Sequence, residues 1–411
     1  MNILFVTIAW PEKGRRNLYT DMMTEFSSRG HRVTVLCSRE KSTGKPDSFQ
    51  DEDGINVLRV KTGNIKKSGT AEKALSLIFL SRNFRKGVNR YLADAEFDLI
   101  LFNTPPITLS GFIQFLKKRY TAQLYLLLKD MWPYGFADFG VIKKGGIAYN
   151  YLLRHEKRIF EISDHIGCMS PMGVDFVLNN YPEMERDKVE VCPNSMKITQ
   201  KNDREHDIDS GDRVRAKYGI PNDATVFIFS GNLGLGHGLD FLVESIVKLK
   251  SYEKAFFLIG GAGTHFSKIK KRMDEENPSN AYMYSYLPDE DFKELMSVCD
   301  VGLILLDNKY SYPQFPSRLL GYLHDKMAVL CAVNRETDIG DIVEQNGAGL
   351  STIHGDMNEF TNAVYTLCED NDTVRDMGRN GFKLLQKKYS VERSFETIMS
   401  HYQHKLKTED A

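Results

Sequence analysis

The sequence lacks most of what would staple a small or secreted protein. Its 411 residues hold six cysteines, Cys37, Cys168, Cys192, Cys299, Cys331 and Cys368. No C-x-x-C step and no Cys/His cluster at zinc spacing occurs among them, which excludes a disulfide framework and a zinc module. They read as small core residues in a reducing compartment. Charge of one sign is also missing. Lys+Arg total 54 and Asp+Glu 55, a net charge of −1, so there is no global electrostatic footprint of nucleic-acid binding. The apolar opening Ile3–Trp10 has neither a basic start nor a cleavage site, and no signal peptide is expected. The one long uncharged run, Leu99–Leu116, carries Asn103, Thr104, Pro105, Pro106, Ser110, Gly111 and Gln114. So many polar and proline residues are poor in hydrocarbon. The run reads as strand, turn and helix, and any membrane contact is expected to be peripheral.

What is present is alternation. Asn2–Ile8 is a continuous apolar run of the kind a parallel strand covered on both faces requires. A helix ended by Gly30 follows, and then further strand and helix signals as far as Val191. Thr199 to Arg213 is polar, dense in charge and without an apolar run, which reads as a linker. The alternation then restarts at Thr225. Two βα series imply an α/β protein of two doubly wound parallel-sheet (Rossmann-like) domains, whose ligands belong in the cleft they face. The expected division is 1–198, a linker at 199–213, and a second domain at 214–389.

Gly231-Asn232-Leu233-Gly234-Leu235-Gly236-His237-Gly238 follows a strand and opens a helix. Glycines there let backbone approach an anion at a helix amino terminus; the alternative is a set of tight-turn glycines. Gly260-Gly261-Ala262-Gly263 also follows a strand and carries the same two readings. Two acidic patterns, Asp51-Glu52-Asp53 in a polar loop and Asp289-Glu290-Asp291 at a helix start, read as solvated acids, and no metal is expected. A basic stretch, Lys61 to Arg90, carries an apolar stripe from Ala74 to Leu80. It fits an anionic lipid surface or an ordinary core-facing helix with a solvated basic side.

The ordered set of motifs resembles the retaining two-Rossmann (GT-B) glycosyltransferases of the family 4 type, which build bacterial surface polysaccharides. It comprises Asn2–Ile8 with Gly14; Gly30-His31-Arg32-Val33-Thr34-Val35-Leu36; Asp130-Met131-Trp132-Pro133; Gly231-Asn232-Leu233-Gly234; Cys299-Asp300-Val301; Phe315-Pro316-Ser317-Arg318-Leu319-Leu320; and Gly347-Ala348-Gly349-Leu350 with Gly355-Asp356. The Phe315–Leu320 segment resembles the "F-P-S-K" branch.

This resemblance implies a glycosyltransferase, of hexosyltransferase type, that moves a sugar from a UDP- or GDP-linked donor to a hydroxyl. The acceptor implied is a lipid-linked saccharide in capsule, O-antigen or lipopolysaccharide assembly. No cofactor and no nucleic-acid partner are expected beyond the nucleotide sugar, and the expected place is the cytoplasm, peripheral at the inner face of the membrane. The helix 390–411 is expected to cross back to the first domain.

For the donor it implies Gly231, Asn232, Gly234, His237, Gly260, Gly261, Leu287, Pro316 and Ser317. For the acceptor it implies Gly14, Asn17 and Trp132. Asp130 and Arg318 are the implied catalytic pair; as plain residues they read as a turn aspartate before proline and a solvated helix arginine. Two departures stand out. The glutamate pair of the family falls on Pro313 and Gly321, and its basic pair falls on Asn232 and His237, which leaves Arg318 as the cation for a leaving diphosphate. Two alternatives share the architecture: a sugar-nucleotide epimerase and a non-catalytic partner subunit.

Overall fold

The structure, a computed structural model, describes residues 1–65, 69–199 and 208–402. The chain forms two units, Met1–Lys197 with the chain from Ser390 onward, and Ile198–Tyr389. Of the stretch 199–213, residues 200–207 lie outside the described ones, and a helix, Ile208–Tyr218, already runs through its last residues.

The first unit is built on strands β1 (Asn2–Val6), β2 (Arg32–Glu40), β3 (Ser48–Glu52), β4 (Ile55–Thr62), β5 (Leu99–Thr104), β6 (Gln123–Leu128), β7 (His165–Cys168) and β8 (Val189–Val191). Their order is β3-β4-β2-β1-β5-β6-β7-β8. Every pairing is parallel except β3 with β4. Central β1 has Ile3 opposite Val33 on one side and Leu99 on the other. It is buried on both faces, which is why it reads as an unbroken apolar run.

The polar loop expected around Asp51 is instead the β3–β4 hairpin. Asp53 and Gly54 both take positive φ, 58° and 84°, the Asp-Gly geometry that matches the twist of a two-residue hairpin. Glu52 pairs with the buried Arg59, so this acid is spent on the fold.

The second unit is wholly parallel. Strands β9 (Thr225–Asn232), β10 (Ala255–Ala262), β11 (Ala281–Tyr284), β12 (Val301–Leu305), β13 (Ala328–Val333) and β14 (Gly349–Ile353) lie in the order β11-β10-β9-β12-β13-β14. In each sheet the winding reverses beside one strand pair, β1/β5 in the first and β9/β12 in the second. A doubly wound sheet opens a ligand crevice beyond the carboxyl ends of such a pair. All six cysteines are buried and free.

The chain returns to the first unit at its end. The Val391 N–H donates to the Met196 carbonyl (3.2 Å), and Ser390 caps the helix Val391–Ser400. That helix lies against Leu18–Ser28, with the Phe26 and Phe395 rings 4.9 Å apart, and the Ser394 hydroxyl meets that of Ser195 at 2.8 Å. Ile398 is fully buried in the core formed with β1 and β2. Ile398→Ala is therefore expected to cost the first unit about 2–4 kcal/mol, read as a lower midpoint in urea with an unchanged slope.

Candidate functional site

The residues implied for the donor gather at the carboxyl ends of β9 and β10. Gly231 and Asn232 are the last two residues of β9, and Gly231 has φ +125°. This conformation belongs to glycine. Gly261 lies back to back with it: a Cβ there would come within 1.8 Å of the Gly231 carbonyl oxygen. Gly260 faces the Tyr284 ring, which a Cβ would strike at 1.9 Å, and Gly263 faces the Leu233 carbonyl at 2.3 Å. The fold itself demands glycine at these three positions, whatever ligand they meet. The loop from Leu233 to Gly238 is tied down on both sides. Leu233 donates to the Ala262 carbonyl (2.9 Å), and the Gly236 carbonyl accepts from Asp307 just beyond β12 (2.9 Å).

Pro316 and Ser317 lead into the helix Arg318–His324 and so place Arg318 beside β9. Its guanidinium lies over the Phe229 ring, 4.0 Å from the centroid. Its Nη2 is 3.5 Å from the Asn232 carbonyl, and its Nη1 is buried with no hydrogen-bond partner. Among the described residues no carboxylate forms an ion pair with it. Burial pulls its pKa down, against the pull of the Tyr322 hydroxyl. Tyr322 is fixed in turn by the backbone of β9, donating to the Ile228 carbonyl at 3.1 Å and accepting from the Ser230 N–H at 3.3 Å.

His237 stands beside Phe229, ring centroids 6.2 Å apart. Burial, reinforced by the Arg318 charge, holds its pKa down at about 4. It is neutral at physiological pH, and Arg318 brings a positive charge against Gly231–Asn232. Gly321, one turn along the same helix, faces open space: a Cβ there meets nothing within 4 Å. Gly234 lies against the Asn232 side chain. Leu287 follows β11, two strands from β9, about 10 Å away across the sheet; Tyr286 beside it is an exposed ring.

The residues implied for the acceptor lie at the same edge of the first sheet. Gly14, at φ +85°, has open space around it. Asn17 caps the helix Leu18–Ser28, its Oδ1 accepting from the N–H groups of Tyr19 (3.0 Å) and Thr20 (2.9 Å). That oxygen is committed to the helix start, a role the resemblance did not suggest. Asp130 follows β6; its Oδ1 accepts the Met131 N–H at 3.0 Å, and the Thr104 hydroxyl approaches its carbonyl at 3.4 Å. Trp132 is half-buried and edge-on to Phe136.

Two residues that the sequence reading passed over stand directly behind this turn. Glu156, on the helix Ile147–Ile162, is 1% exposed. The Tyr181 hydroxyl donates to its Oε1 at 2.7 Å, while its Oε2 is buried without a partner. Burial lifts its pKa to about 8; the Tyr181 hydroxyl and the Trp132 N–H oppose this, and the Asp130 charge adds to it. Lys129, between β6 and Asp130, donates to the Cys192 carbonyl at 3.2 Å, and burial lowers its pKa to about 8. The signal for Glu156 was available in the sequence, since it is a lone acid on a buried stripe with Tyr149, Ile159 and Phe160 at helical spacing. Among the described residues no group of three or more potential ligands could hold a metal.

Residues 211–384 match the family model described as "Glycosyl transferases group 1". The chain is 24% identical over 296 residues, 71% of either chain, to the "Probable glycosyltransferase WbjE" of Pseudomonas aeruginosa. Among solved structures it resembles the sucrose-phosphate synthase of Thermosynechococcus elongatus, with TM-score 0.74 and 16% identity over 99% of each chain. It also resembles Anabaena Alr3699/HepE, solved with UDP and glucose, with TM-score 0.68 and 14% identity over 98% of this chain and 100% of that one. Likeness at these identities establishes the architecture: two parallel-sheet α/β domains of the GT-B kind.

The raised pKa of Glu156 has a fixed sign in stability. An unfolded glutamate ionises near 4.5, so the stability present below that value drains as pH rises from about 5 through 8 and is level above it. Glu156→Gln, neutral throughout, should lose less stability than the parent between pH 5 and 9. Thermal midpoints taken across that range check it, and parallel curves would remove Glu156 as the titrating group.

Proposed function

We propose that the chain transfers a hexosyl group from a UDP- or GDP-linked sugar to a hydroxyl of a lipid-linked saccharide. Transfer proceeds with retention and without a metal, in surface polysaccharide assembly (capsule, O-antigen or lipopolysaccharide) at the inner face of the cytoplasmic membrane. One observation carries the donor half of this reading. Arg318 is a guanidinium without a carboxylate, half-buried, with an orphaned Nη1, beside a glycine-bounded strand end at the sheet's switch point. A half-buried cation without a counter-charge gives up part of its hydration, and a diphosphate replaces it with bidentate, charge-assisted hydrogen bonds. The match of residues 211–384 to glycosyltransferases supports the same half.

The chemistry asked of the protein is small. In front-face transfer the bond from the anomeric carbon to the diphosphate oxygen breaks as the bond to the acceptor oxygen forms. The acceptor proton passes to the departing diphosphate oxygen, so no protein base is required. Arg318 meets the negative charge that grows on that oxygen, the form of stabilisation that matters most in such sites. Neutral His237 adds shape rather than charge. Tyr286-Leu287 would meet the nucleobase, and Asp130 and Trp132 an acceptor sugar, by hydrogen bond and by stacking.

A second reading, a subunit that keeps the fold without binding donor, draws on the neutral His237 and the bare Gly321. Calorimetry separates the two. Arg318→Ala should weaken UDP or GDP binding by about 2–4 kcal/mol, roughly 30- to 1000-fold. Absence of nucleotide binding by the parent chain would favour the second reading.

The open space at Gly321 gives an opposite expectation. The resemblance implies a ribose-binding glutamate at this position. Gly321→Glu should tighten UDP or GDP binding roughly 10- to 150-fold, the worth of one charge-assisted hydrogen bond of about 1.5–3 kcal/mol. Unchanged affinity would show that this chain holds ribose elsewhere.

A further inference from the structure

The chain leaves β6 at Leu128 and enters the short helix Tyr134–Asp138, so Asp130 to Pro133 belong to no strand or helix of their own. Two longer helices stand against this turn, Ile147–Ile162 and Pro171–Asn180. Tyr134 packs edge-on to both, its ring centroid 6.4 Å from that of Tyr149 on the first and 5.1 Å from that of Phe176 on the second. Tyr181 closes the second helix. Its N–H donates to the Val177 carbonyl at 2.9 Å, and its ring lies edge-on to Phe160 at 5.0 Å. The hydroxyls of Tyr134 and Tyr181 are hydrogen-bonded to each other.

Glu156 lies where these groups meet. Its Oε1 accepts from the Tyr181 hydroxyl, and its carboxyl also feels the Trp132 N–H. The turn is thus fastened to one carboxyl twice, at Trp132 directly and at Tyr134 through Tyr181. Among the described residues no cation pairs with Glu156. An aliphatic side chain would continue the stripe of Tyr149, Ile159 and Phe160 without the cost of burying an acid. What the acid adds is polar contact, and both contacts end on the same turn.

We propose that Glu156 is the positioning residue of this turn: it fixes Asp130 and Trp132 in the attitude in which an acceptor sugar meets them. The purpose rests on the reading that these two residues face the acceptor; the fastening does not. The fastening depends on pH. Burial keeps the carboxyl protonated up to about pH 8. The groups around it are Asp130 and the Trp132 N–H from the turn, Tyr181 from the end of its helix, and beyond them Tyr134 and Tyr149. Burial raises the pKa of all three tyrosines, so they stay neutral through this range. Lys129 loses its charge in the same range, with its amine turned to the Cys192 carbonyl. An ionised Glu156 opposes the Asp130 charge and draws water. Of the segments that meet it, the turn is the one outside regular helix or strand, so the turn yields first.

The chain holds two tryptophans, Trp10 and Trp132. In a Trp10→Phe background Trp132 reports the turn by itself, with neither donor nor acceptor present. The test is acrylamide quenching of its fluorescence across the alkaline range. Quenching should rise about twofold as pH passes through about 8. Glu156→Gln, neutral throughout and still able to accept from Tyr181, should hold the low-pH value across the range. Tyr181→Phe removes a hydroxyl that favours the charged carboxyl, so its midpoint should lie above the parent's. Circular dichroism at neutral pH establishes that both variants are folded. Quenching that is flat with pH in the parent overturns the inference. So does a step retained in Glu156→Gln, or a Tyr181→Phe midpoint at or below the parent's. UDP or GDP calorimetry tests the transferase reading separately: a chain that binds neither nucleotide defeats that reading, while the Trp132 profile still decides the role of Glu156.

Discussion

The second unit is organised around the placement of one guanidinium. Arg318 could have pointed into water from a short helix, but it lies on the Phe229 ring beside the carboxyl end of β9. There it loses solvent without gaining a carboxylate. Everything near it is consistent with that arrangement. Tyr322 is pinned by β9 and supports the arginine. His237 is kept neutral by burial and by the arginine itself. Gly231 and Gly261 let β9 and β10 close to backbone contact where a bulkier pair would force the strand ends apart. A cation so placed has a large differential interaction with an anion, which is what a diphosphate site and its transition state require.

How much of this the sequence displays depends on what a residue's neighbours do along the chain and what they do across space. The sheets were legible because parallel strands covered on both faces must be apolar throughout, as Ile3–Val6 and Val226–Phe229 are. The antiparallel edge strand Ser48–Glu52 was not, since all its residues but Phe49 are polar and its burial pattern is exposed. Its one clear signal was the Asp-Gly turn. The glycines carry a further reason that lies across space. Gly260 and Gly261 look like ligand-facing glycines in a strand-end loop, yet the nearest obstacles to a side chain are Tyr284 and the Gly231 carbonyl. Asn17 fits an acceptor-binding pattern and also an N-cap pattern; the structure shows the cap. Arg318 was found by elimination among cations, but its burial on Phe229 depends on a contact 89 residues away that no local pattern encodes.

The two units hold their strand-end residues by different physics. In the second, glycine packing and backbone hydrogen bonds fix the Gly231–Gly238 loop, and nothing with a midrange pKa is needed to do so. In the first, the Asp130–Trp132 turn leans on Glu156, a carboxylic acid whose protonated form is favoured because it is buried, while burial lowers the pKa of Lys129 beside the same turn to about 8. A protonated Glu156 adds no charge beside Asp130. Were Glu156 ionised, its charge would oppose that of Asp130, while the Tyr181 hydroxyl and the Trp132 N–H would favour it. The Asp130–Trp132 turn is thus supported by a neutral acid, and a neutral acid can both donate and accept a hydrogen bond.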